Sequence, residues 1–358
     1  MDAFLTKLVL SLLLLGVFWQ THAAPASLKP REDIEMQDLG VKRLTIDKSC
    51  SGDTETQLNT AINQAMEVAK DGVSTIDWIV DGFEESSDKE KKRRIGMPMN
   101  TMMGNAILRG VSGPRSRSAK EVQEGILSRV SAERNNPVVI HCSMDFLKTE
   151  DPEGNKSPPC ADEQPRRKYR WNAANYQWVS FTGKLCTSTS AAFVMRGNGD
   201  RPDQLVMCPY GLKSLANDKF LKDIKEDQSK VEGEFIDMLT SSPPLWMLQT
   251  LLMTRGVGQK RLIEHVDLGN GKLANGWEGV RTLVSKAINY PGKAVRNVDN
   301  IAYLAVAWYL DKWNWGPGKA TDPSVAKPRV LAADHFEKNY GKGKTPEEVD
   351  IADVRPED

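Results

Sequence analysis

Two apolar runs in the second half constrain this chain most. The first, Leu245-Trp246-Met247-Leu248-Gln249-Thr250-Leu251-Leu252-Met253, follows Pro243-Pro244. Leu245, Leu248 and Leu251/Leu252 recur at helical spacing, and proline is tolerated in a first turn. The second, Asn297-Val298-Asp299-Asn300-Ile301-Ala302-Tyr303-Leu304-Ala305, leads into Val306–Leu310 and repeats the pattern through Ile301, Leu304, Ala305 and Trp308. This spacing predicts two helices that face one core across a Gly-containing connection.

The N-terminus has a different pattern. Lys7 precedes an apolar run from Leu8 to Trp19, bounded by Thr21-His22-Ala23-Ala24. A basic start, an apolar core and a small-residue cleavage site predict a signal peptide over residues 1–23. The run is short for a bilayer span, and no later stretch is long enough. The expectation is therefore a secreted, extracellular protein with no membrane span after cleavage; a retained anchor is the alternative. Residues 24–48 read as a flexible leader or a pro-segment.

The chain has 48 Lys and Arg against 48 Asp and Glu. No strong field draws it to nucleic acid or to an anionic membrane, so no nucleic-acid partner is expected. The dense basic block Lys91-Lys92-Arg93-Arg94 reads as a solvated helix face or loop, and a processing site is the sharper alternative. Five cysteines, Cys50, Cys142, Cys160, Cys186 and Cys208, all follow the signal peptide. In an exported chain without a C-x-x-C pair they point to disulfides, with one left over. Asn155-Lys156-Ser157 is a glycosylation sequon, so the protein is expected to be a glycoprotein.

In chain order, Leu58, Ile62, Ala65, Met66 and Ala69 predict a helix that Asp71-Gly72 ends. Further helices are expected at Ser74–Phe83, Ala119–Ala132 and Asn217–Ser229; Met97–Gly113 has no clear pattern. Val138–Cys142 reads as a buried strand and Asp151–Arg170 as a loop, within a polar insertion over residues 143–175. Strands follow at Tyr176–Thr182, Ala191–Met195 and Gln204–Met207. Cys186 and Cys208 flank a hairpin and could pair across it. The order of elements predicts an α+β domain over residues 49–316, mainly helical with a small mixed or antiparallel sheet. Residues 317–358 read as a charged, mobile tail.

Several patches in this order resemble the secreted fungal metalloendopeptidases of the deuterolysin and peptidyl-lysine endopeptidase group, the aspzincins. They are Cys50 followed by the Ala-rich helix, the strand ending at Cys142, and the hairpin from Cys186 to Cys208-Pro209. Thr250–Val257, Asn275-Gly276-Trp277 and Asn297-Val298-Asp299-Asn300 complete the set. The resemblance implies a zincin-like fold, disulfides Cys50–Cys142 and Cys186–Cys208, and an unpaired Cys160. A zincin carries H-E-x-x-H on one helix, with two zinc ligands and a general base. At the corresponding positions stand Met253, Thr254 and Val257, and the third ligand position falls on Lys272. None of these suits zinc, and Lys272 would oppose the cation.

The other chemistry-bearing candidates are few. Glu264-His265-Val266-Asp267 holds the one local ligand cluster, so zinc on His265, Asp267 and Glu264 is the alternative reading. His141 reads as a packed strand residue, and His335 lies in the tail. No phosphate loop or G-x-S-x-G elbow occurs. Trp308, Trp313 and Trp315 could form an aromatic surface for sugar, with core packing as the alternative. The functional expectation is a secreted pseudoenzyme that needs no cofactor and binds an unknown protein or surface partner. An active zinc endopeptidase with displaced ligands comes second, and a carbohydrate binder third.

Overall fold

The computed structural model describes residues 44–81, 86–103, 127–128, 130, 137–158, 167–181, 183–217, 220–258, 263–269, 271–286 and 293–324. The signal-peptide expectation, residues 24–43 of the expected leader, Cys160, His335, most of the tail and nearly all of the helix expected at Ala119–Ala132 lie outside these residues. The end of the expected leader does not: Leu44–Ile46 there form a strand of the main sheet, with Leu44 buried.

The domain is α+β. A mixed sheet has the order β1 (Leu44–Ile46), β2 (Val138–His141), β7 (Asp203–Met207), β6 (Ala192–Met195). β1, β2 and β7 run parallel, and β6 closes the edge antiparallel to β7. β2 and β7 are mostly or wholly buried, which suits their Val- and Leu-rich sequences. A second, antiparallel sheet of β3 (Leu147–Lys148), β4 (Lys168–Asn172) and β5 (Gln177–Phe181) joins two strands of the polar insertion to the strand expected at Tyr176–Thr182. Strand pairing thus claims residues 168–170, at the end of the stretch expected to be loop.

Helix α1 (Asp53–Asp81) is continuous for 29 residues. The expected stop at Asp71-Gly72 does not occur. A Cβ at Gly72 would sit 2.8 Å from Leu127 Cδ1 and 3.8 Å from Ala305 Cβ, so the glycine permits close packing inside the helix. Helix α2 (Lys89–Met103) carries the basic block. That block is not a solvated face: Lys92 and Arg93 are buried. Arg93 Nη1 donates to Pro323 O (3.0 Å) and Ser324 O (3.1 Å), and Arg94 Nη1 donates to Asp311 O (2.8 Å). These bonds hold residues up to Ser324 against α2, so the ordered domain continues past the expected boundary at residue 316. Ala320 is buried, and Thr321 bridges Asn314.

After β7 come α3 (Pro209–Asn217), α4 (Leu221–Glu226), α5 (Pro243–Leu252), α6 (Arg255–Gly258), α7 (Gly276–Lys286) and α8 (Val298–Tyr309). α5 begins with its two prolines in the first turn and buries nearly every residue, and all twelve residues of α8 are buried. A helix buried all round is the centre of a core rather than its cover. α8 packs against α1, α2 and α5. Disulfides join Cys50 to Cys142 and Cys186 to Cys208.

The three tryptophans expected as an aromatic surface are core residues. Trp308, Trp313 and Trp315 are all buried. Their indole N–H groups donate to Ile95 O (3.1 Å), Gln228 O (2.7 Å) and Leu310 O (3.1 Å). Burial of large rings with their one polar atom paired is the favourable arrangement for this residue type, and it leaves no sugar platform here.

Candidate functional site

The first turn of α8 places Asn297, Asp299 and Asn300 at the centre of the domain, almost wholly out of water. Buried polar groups require partners, and here the partners come from distant segments. Asn297 Oδ1 accepts from Val266 N (2.9 Å), while its Nδ2 donates to Ala274 O (3.0 Å) and Asn300 Oδ1 (2.6 Å). Asn300 Nδ2 donates to Met102 O on α2. Asp299 Oδ2 accepts from Gly276 N (2.6 Å), and its Oδ1 accepts from Gln249 Nε2 of α5 (3.0 Å). His265 Nδ1 lies 3.6 Å from Asp299 Oδ1.

A second carboxylate completes the cluster. Asp237, exposed on the short 3-10 helix before α5, accepts from Trp277 N (2.8 Å) and from the Tyr303 hydroxyl (2.8 Å) through Oδ1. The first two N–H groups of α7 therefore each meet an aspartate, the favourable sign for a helix N-terminus. Gly276 reaches this geometry with φ +64°, a conformation that disfavours any side chain. Gln249, His265 and Gly276 are partly exposed, so the cluster reaches the surface while Asp299 and Tyr303 form its floor.

The electrostatics follow from burial. Loss of water holds the Asp299 carboxyl above the usual carboxylate range; nearby His265 and the Gly276 N–H oppose this, and Asp237 adds to it. Tyr303 is pushed above its ordinary value by burial and then by both aspartates, so it remains a hydroxyl donor at physiological pH. A carboxyl with a raised folded value stabilises the fold fully below the unfolded value of 3.8. That contribution is lost as the pH climbs through the raised value. Asp299→Asn keeps an acceptor for Gly276 N without the charge. The variant is expected to melt at or above the wild-type temperature at neutral pH, with a flatter dependence of Tm on pH between acid and neutral. An equal loss of Tm at acid and neutral pH would show that shape, not charge, decides this position.

The zincin positions do not lie on one helix. α5 ends at Leu252, Met253 is its C-cap, Thr254 Oγ1 donates back to Leu251 O (2.6 Å), and Val257 is buried in the separate α6. Arg255 explains the break. Its backbone N and Nε donate to Asp203 at 2.6 and 2.7 Å, and Nη1 donates to Gly199 O (3.0 Å), pinning the chain to the start of β7. The residue of α5 that reaches the polar cluster is Gln249. Lys272 is exposed, 3.6 Å from Glu278, outside the cluster. Of Glu264, His265 and Asp267, only His265 joins the cluster. Glu264 lies 3.6 Å from Arg296, and Asp267 Oδ1 accepts from Gly269 N (2.7 Å). Among the described residues no three His, Cys, Asp or Glu side chains converge to hold a metal ion. Asn155 is exposed, its amide donating to Asp151 Oδ2 (2.9 Å) in its own turn. His141 is buried and stacks on Phe146 at 4.2 Å, as its strand reading implies.

Neither a family model, nor a curated protein, nor a solved structure matches this chain. Geometry alone therefore characterises the cluster: two carboxyls, an imidazole, an amide and a phenol, partly exposed at Asp237, Gln249 and His265. Asp237, Gln249 and Tyr303 escaped sequence reasoning. The available signals were an amide inside the apolar run 245–253 and polar residues opening an otherwise apolar helix at 297–300.

Proposed function

We propose that this chain is a secreted protein on a zincin-like, metalloendopeptidase-type scaffold that lacks protease chemistry and acts by binding a partner. The observation that carries the reading is the end of α5 at Leu252, where the metal-binding turn of a zincin would continue. In the register of the resemblance, the ligand and base positions are Met253, Val257 and Thr254. Setting the turn one helical step earlier, on the residue that reaches the polar cluster, gives Gln249, Met253 and Thr250. An amide and a thioether are poor zinc ligands, and Thr250 Oγ1 is buried and donates to Trp246 O. Neither register supplies two imidazoles and a carboxylate, so the residues present do not fit a zincin zinc ion. Two disulfides support export, and among the described residues no helix is long and apolar enough to cross a membrane.

The deciding measurement is zinc per chain in protein purified without chelators, together with cleavage of a broad peptide library. The expected result is negligible zinc and no cleavage. About one zinc per chain, lost together with proteolysis on chelation, would overturn the proposal and make His265→Ala the next variant.

A further inference from the structure

The second sheet lies in a cationic stretch free of acids. From Pro165 to Gly199 stand six cations, Arg166, Arg167, Lys168, Arg170, Lys184 and Arg196, and no Asp or Glu, in a chain of balanced charge. In the register of β4 and β5, Lys168 faces Phe181 and Arg170 faces Val179, on the side shared with Leu147 of β3. This side and the segment Gly183–Cys186 enclose a concavity of about 600 Å³, lined by Leu147, Lys168, Arg170, Phe181, Lys184 and Leu185 among others. No carboxylate of the described residues lines it. Among the described residues no ion pair holds Lys168, Arg170 or Lys184; Arg170 donates only to its neighbour's carbonyl, Tyr169 O (3.4 Å). The acids of the preceding turn are engaged elsewhere: Glu150 lies 3.7 Å from Lys156, and Asp151 caps its own turn. Residues two apart in a strand sit about 7 Å apart on one face, so Lys168 and Arg170 repel each other until an anion lies between or over them.

We propose that this face binds an acidic polysaccharide, a chain of uronate sugars laid across β4 with its carboxylates on Lys168, Arg170 and Lys184. The floor of Leu147, Phe181 and Leu185 offers apolar contact to the C–H faces of the rings. β4 is the central strand, its backbone paired with β5 along its length and with β3 at Trp171 and Asn172. An acidic peptide is the competing occupant, and a polyglutamate gel separates the two. Single-stranded nucleic acid needs flat rings for successive bases. The strand register places Phe181 on this side, and Tyr169 also lines the concavity, too few rings for a run of bases. Trp171 and Trp178 point to the opposite side, where Trp171 meets Trp178 and Tyr176 edge to face at 5.5 and 6.4 Å. The inference does not depend on the zincin reading.

Affinity electrophoresis of the mature protein in gels containing polygalacturonate tests it, with neutral dextran, polyglutamate and an oligo-dT strand in parallel gels. Retardation by polygalacturonate and not dextran is expected, fading between about 0.05 and 0.5 M salt. Lys168→Glu combined with Arg170→Glu should weaken binding at least about tenfold. Lys148→Glu, on the opposite face, should leave it unchanged; Tm of each variant confirms folding. No retardation at low salt, equal retardation of the double variant, or tighter binding of polyglutamate or oligo-dT would each overturn the proposal.

Discussion

Asp203→Ala is expected to lower the unfolding free energy by about 3–5 kcal/mol, the range for removing one partner of a buried ion pair. The Asp203 side chain is fully buried, and the Arg255 side chain is 20% exposed. The carboxylate accepts from Gly197 N (2.9 Å) as well as from the Arg255 backbone and Nε. Alanine would leave a guanidinium without its counter-charge and two backbone N–H groups without acceptors. Asp203→Asn should cost less, since the amide oxygen can still accept. Urea titration of both variants checks the order, and a loss under about 1 kcal/mol for alanine would contradict it. The effect bears on the candidate site because this joint ends α5 and holds Met253–Val257 away from a continuous helix.

Replacing Cys50 and Cys142 together by serine should cost about 2–5 kcal/mol, most of it by enlarging the unfolded ensemble. The bridge spans 92 residues, against 22 for Cys186–Cys208, so the longer loop should matter more. It fastens the segment between β1 and α1 to the end of β2, two neighbouring parallel strands that no hairpin could join. Thermal melts of the two double-serine variants give the comparison. A larger loss from opening Cys186–Cys208 would mean that local strain or residual structure, not chain entropy, sets the ranking.

Much of the fold was legible in local pattern. The helices at 243–252 and 298–309, the strands at 138–141, 192–195 and 203–207, and the start of α1 follow from periodicity and turn residues that act over a few positions. The misreadings share one cause. Gly72 looks like a helix stop until Leu127 and Ala305 are seen to press against it. Lys92-Arg93-Arg94 looks solvated until the carbonyls of Asp311, Pro323 and Ser324 arrive from the far end of the chain. Trp308, Trp313 and Trp315 look like a surface until their N–H groups are paired inside.

By itself the sequence determined the apolar faces, the α+β class and the absence of an H-E-x-x-H pattern, because side-chain chemistry and short-range spacing carry that information. Only the tertiary structure decided which polar groups meet. Gln249, His265, Gly276 and Asp299 lie on four separate segments and converge because α8 is buried on every side. A buried carboxylate must draw its donors from whatever packs around it. The same holds for Asp203 and Arg255, 52 residues apart, whose pairing ends the helix that the resemblance would have continued.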